Sequence, residues 1–473
     1  MEKLNSKITS VRNWILKASK DEMDVSETMD QLRLSGSRIS QGFSQWMEEG
    51  FDALGEAGAL EMSSFQIDGK ERKESDLPDL KKRRELREGE WRFSLNKGSW
   101  IKSFGMPDSS LVFFQESSLL KWLSDLDPFT VFPQAKRIRL YCPFFENSFG
   151  GNGFQLIGAK GPVDPVWMGL ELPIEKDVRE EVLITRSRIL IRPALFQVVT
   201  WGPEGHAVNA LLARNMFFTL VASLAREFEG PDKAVFRGEL VKREYPLHGP
   251  DEERTERSLL VVLESTVHWV YDKTPSTRLA LLADRLTIEM AQEKSLLQNL
   301  NSQLASALSK AKEDYVQVVR DRKTKYYKEL GDLVKDIQVQ AATYGKKIQS
   351  LTNNLLRDLL GSFILVVFDV VIKSQDKDLP PNPWILLLIG IYFLVSFFVQ
   401  SYVNGKDLRF SDAELEYWQK STRTALDQRK IKEKIDQVLN PRKAHYRSVN
   451  IIVGVFYGLI TSVCILWAFR IGF

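Results

Sequence analysis

"LLRDLLGSFILVVFDVVIKS", residues 355–374, decides how this chain is organised. The run is apolar enough for lipid, yet Asp369 interrupts it and the uninterrupted part, Leu359 to Phe368, is short. It is a buried core helix, a re-entrant segment or a membrane span, and its neighbours discriminate among these. "WILLLIGIYFLVSFFVQSYV", Trp384 to Val403, carries no charge and matches the roughly 20 residues that cross a hydrocarbon core about 30 Å thick. "IIVGVFYGLITSVCILWAF", Ile451 to Phe469, is nearly as long, with Trp467 and Arg470 placed as interfacial anchors.

Between these two runs, residues 404–450 hold eleven Lys and Arg, which favours the cytoplasmic side. The long segment ahead of Leu359 is also rich in Lys and Arg, and its start, "MEKLNSKITSVRNWILKASKDEMD", lacks the apolar core of a signal peptide. With both flanks inside, an even number of crossings separates them. The opening run must then cross, turning outside at "KSQDKDLPPNP". The expectation is a multi-pass protein of the cell (inner) membrane, its partner the lipid bilayer and its N-terminal domain cytoplasmic. Asp369 then lies about one turn from the outer end of its span, where a charge costs least, and Lys373 can pair with it. The functional alternative makes Asp369 part of an acidic ring lining a pore in an oligomer.

From Thr277 to Leu355 there is no proline and the apolar spacing is helical. Leu297, Leu300, Leu304, Leu308, Ala311, Tyr315 and Val318 step by threes and fours, as do Tyr326, Leu330, Leu333, Ile337, Ala341, Tyr344, Ile348, Leu351 and Leu355. A narrow stripe of this kind wants a partner helix. A coiled coil between copies of the chain, hence a homo-oligomer, is expected; a bundle folded back within one chain is the alternative. Residues Ser411 to Leu439 read as a helix of about 43 Å stopped by Pro441, too long to descend and return over the residues that follow. It is expected to lie on the membrane surface with Leu415, Trp418, Ala425, Ile435 and Leu439 inward, rather than to bend into a hairpin. Arg442, Lys443 and Arg447 would then form a collar for anionic lipid.

A chain of 473 residues holds several domains, and its global 27% charged and 44% hydrophobic residues average a charged body with an apolar tail. Cys142 and Cys464 alone give no disulfide framework, which fits a reducing compartment. The divisions are a helical segment at 1–62 anchored by Trp14 and Trp46, a charged linker at 63–90, an α+β cytosolic head at 91–275, and a coiled-coil stalk at 276–357. A transmembrane hairpin at 358–403, a basic amphipathic segment at 404–450 and a third span at 451–473 follow. The fold class is thus an α+β cytosolic domain, a long α-helical coiled coil and an all-α transmembrane module of three spans. In the head, "SLVFFQE", "RIRLY", "FQLI", "WMGLEL" and "RILIR" read as short strands, followed by a helix over 205–228 and by "SLLVVLESTVHWVYD".

Chemistry is sparse. "NSFGGNGFQLIGAKGP" offers Gly150, Gly151, Gly153 and Lys160 as an anion cradle, but it is neither a P-loop nor a dinucleotide fingerprint, and glycines more often mark a turn. Glu204 and His206 precede a helix and form either an acid and base pair or a polar helix entry. The four histidines show no metal-ligand spacing, no catalytic set is assignable, and no cofactor is implied. The mixed charges of "DGKERKESDLPDLKKRRELREGE" argue against nucleic acid. A sensor and effector, its head answering an unknown cytosolic trigger or partner and its spans gating the bilayer, would suit stress or phage defence. A scaffold or tether with anchoring spans is the alternative, and an enzyme head on a membrane stalk the third.

Overall fold

Leu32 and Leu34 alternate with Arg33 and Ser35, and Trp91, Phe93 and Leu95 with Arg92 and Ser94, so both segments present one apolar face at the period of a strand. In a computed structural model, which describes residues 2–17, 23–39, 42–76, 87–162, 165–247, 255–373, 382–422 and 428–472, they pair as the centre of an antiparallel sheet. Its strands are β1 (Asp24–Glu27), β2 (Gln31–Ile39), β3 (Ser63–Ile67), β4 (Lys70–Arg72) and β5 (Arg87–Asn96), in the order β1-β2-β5-β3-β4. Helices α1 (Glu2–Lys17) and α2 (Phe43–Ala57) share its apolar core. The indoles of Trp14 and Trp46 stack 4.8 Å apart, and each donates its N–H to the other's backbone carbonyl. Gly50 is required there, since a Cβ would come within 2.5 Å of the Trp14 ring. The helical reading of 1–62 and the linker reading of 63–90 are therefore corrected: strands β1 and β2 fall in the first, and the β3–β4 hairpin opens the second. Short strands whose outer faces are charged hide among polar residues, because only every second position is apolar.

Helix α3 (Lys97–Ser103) leads to a second sheet, β6 (Ser110–Val112), β7 (Ile138–Tyr141), β8 (Phe149–Gly150) and β9 (Phe154–Ile157), ordered β6-β7-β9-β8 with α4 (Glu116–Asp125) between its first two strands in sequence. The pairs β6–β7 and β7–β9 are parallel, and these strands are mostly buried on both faces, as parallel strands generally are. Helices α5 (Glu175–Glu181) and α6 (Pro193–Phe196), the buried helix α7 (Ala207–Leu224) and a third sheet, β10 (Leu183–Ile184), β11 (Glu227–Gly230), β12 (Lys233–Arg237) and β13 (Lys242–Tyr245), add to the head. Helices α8 (Arg257–Asp272) and α9 (Pro275–Glu289) follow. The expected strands at 167–172 and 188–192 are absent from this sheet framework: neither segment pairs in a ladder, Arg188 lies in a turn, and Met168 is fully exposed. "SLLVVLESTVHWVYD" forms α8, burying Leu259, Leu263, Val267 and Val270 at helical spacing.

The first two sheets are tied by a buried ion pair. The Glu27 carboxylate accepts from Lys97 Nζ at 2.7 Å and from the backbone N–H groups of Phe114 and Gln115 at 2.9 Å. Lys97 Nζ also donates to the Val112 carbonyl at 2.7 Å, so both charges are nearly saturated although their side chains are 1% and 0% exposed.

Helix α10 (Leu296–Lys373), of 78 residues, belongs to both compact units of the chain, Met1–Val316 and Gln317–Phe473. In the first, Leu296, Leu300, Leu304, Ala307 and Ala311 join the head core. In the second, α11 (Pro383–Thr422) and α12 (Gln428–Gly472) run beside it. Leu333 and Ile337 pack on Ile435 and Leu439, while Tyr344 and Leu351 pack on Leu408 and Tyr446. The apolar stripe expected to seek a second copy is thus covered within one chain. The surface-lying helix is likewise corrected: α11 and α12 extend past their apolar runs as two legs of a hairpin, separated by 423–427, outside the described residues. Pro441, expected to stop the helix, sits inside α12. A proline deletes one helical hydrogen bond at a cost that packing on α10 offsets, and without a stop no extended return has to be spanned.

Two outcomes are expected. Lys97→Met, which leaves Glu27 buried without its cation, lowers the head's stability by about 3–5 kcal/mol in denaturant titration followed by tryptophan fluorescence. Leu333→Cys combined with Leu439→Cys, in a background lacking Cys142 and Cys464, gives on oxidation a crosslinked single chain on denaturing gels rather than a dimer.

Candidate functional site

Outside their contacts with one another, the ends of the last three helices are apolar. Phe363, Ile364 and Phe368 of α10, Trp384, Phe398 and Val399 of α11, and Phe456, Val463 and Leu466 of α12 are each at least half exposed. Polar groups lie inside instead: Asp358, Asn404 and Thr461 are buried. That distribution is inverted for water and suits hydrocarbon, where exposed apolar residues cost nothing and polar ones must find partners between helices. By length and composition Pro383–Glu414 and Ile435–Arg470 are able to cross a bilayer, and these helices mark the chain as a membrane protein. Ala207–Leu224 is equally long and apolar but 78% buried in the head, so it is a core helix. The stretch 356–373 carries Arg357, Asp358, Asp369 and Lys373, more charge than an isolated span tolerates.

The interior of this bundle is organised around Asp358, which is 3% exposed. Its Oδ1 accepts from the Tyr392 hydroxyl at 3.0 Å, and its Oδ2 from Ser396 Oγ at 2.7 Å and the Tyr457 hydroxyl at 2.8 Å. Gln400 Nε2 donates to Ser396 Oγ at 2.9 Å, and Arg357 Nη2 reaches Asp358 Oδ1 at 3.4 Å with its side chain 70% exposed. One carboxylate therefore joins all three helices. Tyr392, Ser396 and Gln400 are spaced by four, which sets them on one face of α11, within its apolar run. Close approach is permitted by small residues: Thr461 Oγ1 donates to the Gly390 carbonyl at 3.3 Å, and a Cβ at Gly454 would meet the Phe397 ring at 2.7 Å. A cleft of about 680 Å³ opens between α10 and α11, with Asp358 and Asp369 among its walls and Leu365, Ile385, Leu388 and Ile389 between them.

Beyond the apolar band a second carboxylate repeats the pattern. Asp412 accepts from Gln340 Nε2 at 3.1 Å, from the Tyr344 hydroxyl at 2.9 Å and from Lys443 Nζ at 2.7 Å, again linking three helices. Burial, with the hydrogen bond to Asp412 next, pushes the Tyr344 phenol above its usual range, so it stays a donor. Lys347 pairs with Asp407 at 2.7 Å.

The residues singled out from sequence fall in several places. Asp369 Oδ2 accepts from the Asn382 backbone N–H at 3.3 Å, near the start of α11; the Lys373 side chain lies outside the described residues. Arg442 and Arg447 are exposed on α12, whereas Lys443 is spent on Asp412. The N–H groups of Gly150 and Gly151 donate to the carbonyls of Thr200 and Phe154, and Lys160 pairs with Glu146 at 3.0 Å, so these do not converge on a bound anion. A Cβ at Gly151 or Gly153 would collide with the carbonyls of Gln197 or Leu195, which accounts for both glycines by backbone approach. His206 Nδ1 accepts from the Val208 N–H as a helix cap, which leaves Nε2 to carry the proton toward Glu116 at 3.0 Å. Its carboxylate neighbour is thus Glu116; Glu204 is exposed. Among the described residues no group of three His, Cys, Asp or Glu is placed to hold a metal.

Asp358 was not singled out by sequence reasoning, because beside Arg357 it resembles an ordinary charged flank. The available signal was the row of Tyr392, Ser396 and Gln400 inside an otherwise apolar run. Tyr457→Phe, which removes one of the donors, is expected to cost about 1 kcal/mol in thermal unfolding of the detergent-solubilised protein. Asp358→Ala, which orphans three hydroxyls at once, is expected to cost more. Compared with protein-family models, characterised proteins and solved structures, the chain matches none.

Proposed function

We propose that this chain is a multi-pass membrane transducer. Its head answers a soluble trigger, and its three-helix membrane module, with Asp358 as the switchable clasp, alters the permeability of the bilayer. The observation that carries the reading is the sharing of α10: the helix that contributes Leu300 and Leu304 to the head core also contributes Asp358 to the cluster among the apolar helices. In this reading the stretch 356–373 crosses as the first span, its carboxylates receiving hydrogen bonds from Tyr392, Ser396 and Tyr457 at Asp358 and from the Asn382 N–H at Asp369. The head and the helical hairpin are then cytoplasmic, which the basic residues of 404–450 support by the positive-inside bias. In this reading the clasp opens when Asp358 loses its donors, since a carboxylate left without partners in a low-dielectric interior is strongly disfavoured.

A tether with anchoring spans is the second reading, favoured by the completeness of the hydrogen bonding around Asp358 and by the in-chain covering of the α10 stripe. Membrane potential on induced expression separates the two. Depolarisation by the wild type that Asp358→Asn abolishes, with membrane insertion retained, is the expected result. An unchanged potential in cells and no ion flux from loaded liposomes would leave the tether.

A further inference from the structure

A separate cleft in the head, of about 830 Å³, opens at the N-terminal ends of the parallel strands, where Ser110 begins β6, Arg139 lies in β7 and Gly153 precedes β9. Four cationic side chains, Lys136, Arg137, Arg139 and Arg192, line it against the single carboxylate of Glu175. Such an imbalance in a concave wall focuses positive potential and favours an anion. The three arginines are held in place: Arg192, 6% exposed, donates Nη1 to the Phe132 carbonyl at 2.8 Å and Nη2 to that of Val131. Arg137 Nε donates to the Asn152 carbonyl at 3.0 Å, and Arg139 Nε to Gln155 Oε1 at 3.3 Å.

A second observation points to a ligand. Ser110 is 4% exposed and lines the cleft, yet its Oγ has no hydrogen-bond partner among the described residues; Arg192 Nε shares that condition. Buried polar atoms are rarely left in this state, and an oxyanion carries the acceptors that the hydroxyl and the guanidinium N–H lack here. Ile174 and Leu195 supply apolar wall beside the charges, and the volume suits a ligand of nucleotide size.

We propose that this cleft binds a phosphorylated small molecule of nucleotide size, its phosphates on Ser110, Arg139, Arg192 and Lys136 and its apolar part on Ile174 and Leu195. This gives the head of the transducer its ligand class. It rests on the transducer reading only for the consequence of binding, because binding is measured apart from ion flux.

The test is calorimetric titration of the full-length protein in detergent with ATP and, separately, with pyrophosphate. ATP is expected to bind, and to bind more tightly than pyrophosphate. Lys136→Glu, at an exposed position, and Ser110→Ala are each expected to weaken ATP at least tenfold. Ser110→Ala removes an unpaired hydroxyl, so it leaves the thermal unfolding midpoint unchanged or raised, which distinguishes a binding role from a folding defect. No heat with either probe at millimolar concentration, ATP no tighter than pyrophosphate, or affinity indifferent to both variants would overturn the assignment.

Discussion

A helix of 78 residues with a narrow apolar stripe has to bury that stripe, because most helix stability comes from packing rather than from propensity. In this chain two different partners cover it. The head core takes Leu300, Leu304 and Ala311, and the two legs of the C-terminal hairpin take Leu333, Ile337, Tyr344 and Leu351. The phase break between the halves of the stripe, at "VRDRKTKYY", falls where the partner changes. The rest of the C-terminal unit follows from this division. Helices α11 and α12 continue beyond their apolar runs because α10 offers them a surface, and a proline is tolerated in α12.

Within that bundle, polar contacts sit where three helices meet. Apolar packing between helices is weakly specific in hydrocarbon, since lipid tails are as apolar as the side chains they would replace. A carboxylate bound by donors from two other helices selects one register, because any slip leaves a charge unpaired. Asp358 has this role among the apolar residues, and Asp412 has it where the helices are polar. The two clasps employ one chemistry in two dielectrics, and the one in the apolar surroundings is the more sensitive to loss of a donor.

Parts of the architecture were plain in the residues. The uncharged run Trp384–Val403 and the run Ile451–Phe469 need only their length and apolarity to be recognised, and both lie in helices able to cross a bilayer. The periodicity of 297–355 is that of a helix, which α10 is. The head was legible as α+β, whereas β1 and β2 were hidden behind charged outer faces and the apolar segments at 167–172 and 188–192 resembled strands without being paired. Strand pairing is a property of two distant segments, so local pattern alone does not supply it.

What the sequence by itself determined is therefore what depends on local spacing: helix periods, apolar length, and the basic bias of 404–450. Tertiary structure alone decided which surface answers each stripe, because an apolar stripe specifies that it must be buried but not by what. It also decided which charges matter. Asp369 stands out as the lone acid in an apolar run, while Asp358, disguised by Arg357, becomes the hub once Tyr392, Ser396 and Tyr457 are brought to it from 34 to 99 residues away. The same holds in the head, where Ser110 and Arg139 share one cleft because the parallel strands β6 and β7 begin side by side, and Arg192 joins them from the segment ahead of α6.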